Sequence, residues 1–233
     1  MLDQHTSVKL VLLLAIFSGS TAAGDEFFSD FTSLQGWEDD STGGSLKSYE
    51  IVDKENGRLK MSTRAKTKDR VKVKTKGRFS AGEYHWRVFV PEMGIGDQAS
   101  IGAFLFQDNK HELDFEIGYG TSELRKKLGA NEDELVCYLT SQGFPASSSQ
   151  VLIRRNDWYK CTIKISAKDG GKFLVEWFLN NVRVKTLQTQ FSDETNFTAH
   201  CSLENLAFLG DHSPSQENYA IFDYFKFSKA SNK

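Results

Sequence analysis

Strand-length runs of alternating apolar and polar residues follow one another along this chain, and no helical rhythm separates them. They include residues 57–63 (GRLKMST), 69–75 (DRVKVKT), 82–90 (GEYHWRVFV), 99–106 (ASIGAFLF) and 111–118 (HELDFEIG). The pattern continues at 134–140 (ELVCYLT), 158–166 (WYKCTIKIS), 172–181 (KFLVEWFLNN) and 219–227 (YAIFDYFKF). Turn chemistry divides them, as in STGGS, AKDGG and GDHSPS. A short helix over residues 122–130 (SELRKKLGA) is the one expected exception. Successive strands without crossover helices exclude βαβ units and helical bundles. They predict an all-β, two-sheet sandwich of the jelly-roll type. The 233 residues include 18 Phe, enough aromatic bulk to fill a core between two sheets, and no linker divides the chain. One domain is expected over residues 24–233.

The N-terminus reads differently. In VKLVLLLAIFSGSTAAG, Lys9 precedes the apolar residues 10–17, and small residues follow. This is the pattern of a secretory signal peptide over residues 1–23, cleaved after Ala22 or Ala23. The apolar run falls short of the ~20 residues that a spanning helix needs. The expected product is a secreted monomer, extracellular or periplasmic; a retained anchor is the alternative. A net charge of −2 gives no general attraction to nucleic acid or to membranes. Export permits one disulfide among Cys137, Cys161 and Cys201 and leaves one thiol over, without choosing the pair. Alternation around Cys161 favours a buried structural thiol. Asn196-Phe197-Thr198 is a glycosylation sequon, relevant only in a eukaryote.

The segment HELDFEIG carries the chemistry. In a strand, residues i, i+2 and i+4 share a face. Glu112, Asp114 and Glu116 therefore line one face, and Leu113, Phe115 and Ile117 the other. A solvated polar face is the ordinary outcome. Three unbroken acids argue against it, because close carboxylates cannot all ionise comfortably and at least one must hold its proton toward neutral pH. Such a proton is what a general acid supplies. The Cα atoms of Glu112 and Glu116 should lie about 13 Å apart. Side chains leaning together would bring the carboxyl groups to roughly 5–6 Å, near the ~5–5.5 Å of retaining glycosidases.

A second pattern is basic. Arg64, Lys66, Lys68, Arg70, Lys72, Lys74, Lys76 and Arg78 all occupy even positions. The expectation is a solvated outer face or a lysine-protected edge, opposite Val71 and Val73. The functional alternative is a ridge for an anionic polysaccharide.

HELDFEIG resembles the E-x-D-x-E signature of glycoside hydrolase family 16, in the form typical of lichenases and xyloglucan endotransglycosylases. Flanking stretches are similar too: FFSDFTSLQGW, VKVKTKGRFSAGEYHWRVFVPEMGIG, FLVEWFLNNVRV and AIFDYFKF. The resemblance implies a concanavalin A-like jelly roll with a concave carbohydrate-binding face. It implies retaining cleavage or transfer within β-linked glucans or galactans. By position, Glu112 would be the nucleophile, Glu116 the acid/base and Asp114 the assisting acid. Arg87 matches the family's cleft arginine, and His85 stands where a glutamate is usual. Phe104 and Phe106 fall where aromatic residues meet sugar rings; core packing is their alternative. No cofactor is implied beyond a possible structural calcium near Asp223 and Gly57, with Asp223 paired to a lysine as the alternative. The chain also departs from the family. QASIGAFLF lacks a Trp-Pro pair, Ala207 replaces a tryptophan, and Cys137 stands where an asparagine often contacts sugar. These departures keep a second reading open, a non-catalytic lectin-like domain on the same fold, beside a structural or adhesive surface protein.

Overall fold

The computed structural model describes residues 24–42, 48–143, 145–168 and 170–230. The expected signal peptide lies outside the described residues. Two antiparallel sheets are stacked. The first runs β13 (Val182–Ser192), β12 (Lys172–Leu179), β11 (Asp157–Ala167), β6 (Gly82–Val90), β15 (Asn218–Lys229), β4 (Leu59–Thr63) and β3 (Tyr49–Ile51), and β1 (Glu26–Ser29) also pairs with β15. The second runs β10 (Ser147–Arg154), β9 (Glu134–Ser141), β8 (His111–Gly118), β7 (Ala99–Asp108), β14 (Thr198–Asn205), β5 (Arg70–Thr75) and β2 (Trp37–Asp39). Neighbours in each sheet come from distant parts of the chain, as a jelly roll requires.

The alternation in the sequence becomes the two-sided burial of each strand. Tyr84, Trp86 and Val88 of β6 face inward, as do Ile163 and Ile165 of β11 and Val175 and Trp177 of β12. They meet Val71 and Val73 of β5, Leu113, Phe115 and Ile117 of β8, and Ala199, Cys201 and Leu203 of β14. All three cysteines lie in this core as free thiols, so the disulfide that export would permit is not formed. Burial pushes the Cys161 thiol up to about 12, which makes it inert at ordinary pH.

Local chemistry sets the turns. Asn180 and Asn181, both at positive φ (47° and 68°), join β12 to β13 as a tight hairpin. The expected helix forms as α1 (Ser122–Leu128). The Thr121 side chain accepts from the Leu124 amide at one end, and Gly129 in the left-handed conformation closes the other.

Candidate active site

The acid strand β8 lies between β7 and β9. Its inward residues Leu113, Phe115 and Ile117 are fully buried, which turns Glu112, Asp114 and Glu116 together to the opposite face. From the core side, Trp177 Nε1 donates to the Asp114 carbonyl oxygen at 3.1 Å and pins the strand there. Directly paired residues of antiparallel strands share a face, so the register defines the floor around the acids. Glu112 pairs with Phe106; Asp114 with Phe104 and Thr140; Glu116 with Gly102 and Tyr138. One strand further, Thr198, His200, Ser202 and Glu204 of β14 lie beside Phe106, Phe104, Gly102 and Ser100. The next strand adds Lys74, Lys72 and Arg70.

The acids sit in a poorly solvated place. Burial first, then the charge on Glu204, raises Glu112 to about 7, against the pull of Asp114, Lys72 and Arg70. Burial, Glu204 and Glu112 raise Glu116 to about 8, with Arg70 opposing. Asp114 is 2% exposed, and burial with Glu112 and Glu116 on either side holds its carboxyl well above the usual carboxylate range. The Gln142 side chain is the donor that pulls Asp114 the other way. The contact of Asp114 with Glu112 becomes a hydrogen bond only when one of the two carries a proton, so the three acids titrate as a unit.

The walls are aromatic. Phe104 stacks on His200 with ring centroids 4.3 Å apart, and Phe106 meets the same ring edge-on at 6.0 Å. Both phenylalanines are thus on the acid face and outside the core, Phe104 nearly covered and Phe106 half-buried. Burial lowers His200 to about 3, so its ring is neutral. On the other side Tyr138 meets Phe208, which is 57% exposed. The short turn Ala207–Leu209 thus presents an aromatic ring one position after the tryptophan site that Ala207 leaves empty.

Several expected residues lie elsewhere. His85 and Arg87 do not reach the acids: they are on the outer face of β6, in the first sheet, with the whole core between. His85 Nδ1 bonds Thr162 Oγ1 at 2.8 Å, while Arg87 pairs with Asp223 and lies over Trp158 at 4.5 Å. The inward residues of β6 are Tyr84, Trp86 and Val88, so parity sends His85 and Arg87 outward. Cys137 pairs with Ile117 in the core, leaving Tyr138 and Thr140 as the cleft residues of β9. The basic stripe, Arg70, Lys72 and Lys74, lies opposite Val71 and Val73, on the face of the second sheet away from the core as expected, and the acids occupy that same face. There Lys74 holds Asp40 (2.9 Å) and Glu38 (3.6 Å), Lys72 reaches Asp40 (3.6 Å), and Arg70 donates to Glu204. Arg64 turns aside to hold Asp69.

At the place of the implied calcium the acidic side chain already has ion-pair partners. Asp223 is committed to Arg87 and Arg58, and so to arginines instead of a lysine. Gly57 meets the Asp30 carbonyl so closely that a Cβ would fall 1.7 Å from its oxygen. Among the described residues no group of three or more His, Cys, Asp or Glu could hold a metal.

Sequence reasoning missed Glu204, His200, Tyr138 and Phe208. A signal was present for the first two: Thr198, His200, Ser202 and Glu204 are polar at every second position of one strand.

No protein-family model matches the chain, and no curated protein matches it. Solved structures do share its fold. A Crh5 transglycosylase in complex with NAG superposes with a TM-score of 0.61 at 16% identity, over 90% of this chain and 86% of that one. The laminarinase catalytic domain from Thermotoga maritima gives 0.61 at 14% identity, covering 88% and 98%. The Bacillus licheniformis β-glucanase gives 0.62 at 13% identity, covering 90% and 100%. The chain has the jelly-roll fold of glycoside hydrolase family 16 enzymes.

Proposed function

We propose that this chain is an exported, retaining glycoside hydrolase or transglycosylase that acts within β-linked glucan or galactan chains. The observation that carries the reading is geometric: Glu112, Asp114 and Glu116 share one face of one strand, and burial with mutual repulsion raises both glutamates, so one can hold a proton while the other is ionised. Retaining chemistry needs one acid of each kind. An ionised Glu112 oxygen attacks the anomeric carbon, while Glu116 gives its proton to the departing glycosidic oxygen. The bond to the leaving sugar breaks as the ester to Glu112 forms. Glu116, now ionised, then takes a proton from water or from an acceptor hydroxyl, whose oxygen displaces Glu112 and restores the β configuration. Asp114 touches Glu112 and biases where the proton rests. The neighbouring folds named as a transglycosylase, a laminarinase and a β-glucanase support the same reading. Phe208 and Phe106 offer ring faces and edges on which pyranose rings can pack.

The test is proton NMR of the first product released from a panel of β-glucans and galactans, run beside Glu112→Gln. The β anomer should appear first, and Glu112→Gln should be inactive. An α anomer as the first product overturns the mechanism; full activity in the variant overturns the site. Tight binding of a polymer with no product would assign the cleft to recognition alone.

A further inference from the structure

A fourth carboxylate belongs to this cleft. Glu204 is 4% exposed, on the same face as the acids and two strands away. Arg70, directly opposite on β5, donates to it. Between Glu204 and Glu116 the floor is stripped of bulk. The intervening positions are Gly102, Gly118, Ser100 and Ser202, and a Cβ on Gly102 would come within 2.3 Å of Ser202 Oγ. Ser100 Oγ is buried there without a hydrogen-bond partner. No large side chain therefore stands between the two carboxylates on this face, and their repulsion acts across small residues.

We propose that Glu204, held by Arg70, is a positioning residue of the acid site: its charge keeps a proton among the β8 carboxylates. This rests on the glycosidase reading above. The titratable and charged groups on the face of Glu204 are Glu112, Asp114 and Glu116 on β8, Tyr138 on β9, His200 on its own strand, Arg70, Lys72 and Lys74 on β5, Glu38 on β2 and Asp40 after it. Of these, only the negative groups push protons onto β8. Its charge is the second-ranked influence, after burial, on both Glu112 and Glu116. A merely structural partner for Arg70 would do equally well pointing away from the acids.

The experiment compares the parent with Glu204→Gln and Glu204→Asp in two readouts. One is the pH profile of kcat/KM. The other is a carbon NMR titration of glutamate side chains, with Glu116 assigned through Glu116→Gln. Removing the charge should move the alkaline limb and the Glu116 midpoint down together, by roughly one pH unit. Glu204→Asp, which keeps the charge, should stay near the parent. Glu204→Met serves as a second neutral variant if Glu204→Gln fails to fold. An unmoved Glu116 midpoint in a folded neutral variant overturns the inference. If no glycan is cleaved by the parent and the midpoint still moves, the glycosidase reading fails while the coupling of Glu204 to Glu116 stands.

Discussion

His200 lies flat against Phe104, with centroids 4.3 Å apart and planes 15° from parallel. The pair covers the floor beside Asp114. Phe104→Ala removes the ring that shields both the neutral imidazole and the buried acid. Its expected cost is about 3 kcal/mol of stability, the usual scale for a buried phenylalanine. Urea denaturation at pH 7 checks this, and a loss under about 1 kcal/mol would mean that the floor re-closes without the ring.

Stability should fall on the alkaline side, and the sign can be worked through. Glu112 and Glu116 have folded values raised to about 7 and 8 from an ordinary 4.5, so the folded chain holds protons the unfolded chain has lost. That contribution is complete below 4.5 and disappears as pH rises through 7 and 8. His85 and His200 act in the other direction, with folded values lowered to about 4 and 3. Their contribution is present above 6.5 and lost as pH falls. Above 6.5 the carboxylates act without that opposition, and the melting temperature should decline from pH 6.5 to 8, beyond which Lys185, lowered by burial to about 8, acts the other way. Glu116→Gln should be the more stable protein at pH 8.5 by about 1 kcal/mol or more, and the gap should close below pH 5. Calorimetry across this range decides it; a parallel decline in both proteins would remove Glu116 as its source.

Phe208 is exposed and meets Tyr138 edge-on beside the acids. Phe208→Ala should therefore leave the fold intact while raising KM for polymer roughly tenfold, the worth of one stacked ring. Steady-state kinetics beside a thermal melt separates the two effects. An unchanged KM would place the sugar path elsewhere.

The lysines of β5 face the cleft as counter-ions to Asp40 and Glu38. Lys72 also holds Glu112 down. Lys72→Glu should raise the acidic limb of the activity profile by roughly one pH unit, because it removes a cation and adds an anion near the nucleophile. The parent should show no gain in affinity for sulfated over neutral galactan. A strong, salt-sensitive preference for the sulfated polymer would return the stripe to a binding role.

The three thiols should resist an aqueous thiol reagent in the folded protein and all react after denaturation, since each is fully buried. Rapid labelling of one thiol under native conditions would contradict that core. Reducing agent should leave the melting temperature unchanged.

Parity made the acids legible. A period of two fixes which residues share a face of a strand, and HELDFEIG carried its own answer. Parity cannot say which sheet a strand joins, because that depends on partners far along the chain. Arg87 alternated correctly with Trp86 and Val88, yet β6 pairs with β11 and β15 and so turns Arg87 away from the acids. Lys72 alternated correctly with Val71 and Val73, yet β5 pairs with β14 and turns it toward them. The strand β14 was itself hard to read. It is buried on both sides, and only one side is apolar.

The bond from Trp177 to the Asp114 carbonyl has a partner at the open edge. Lys185 of β13 crosses to the second sheet, donating to the Leu139 and Ser147 carbonyls at 2.7 and 3.1 Å, with Trp177 beneath its ammonium. The β12–β13 hairpin is thus a clasp between layers, fastened on one side to the acid strand and on the other to the strands beside it. Alignment of the three acids is consequently a property of both layers. A loosened hairpin, far from any sugar, would let the nucleophile and the proton donor drift out of step.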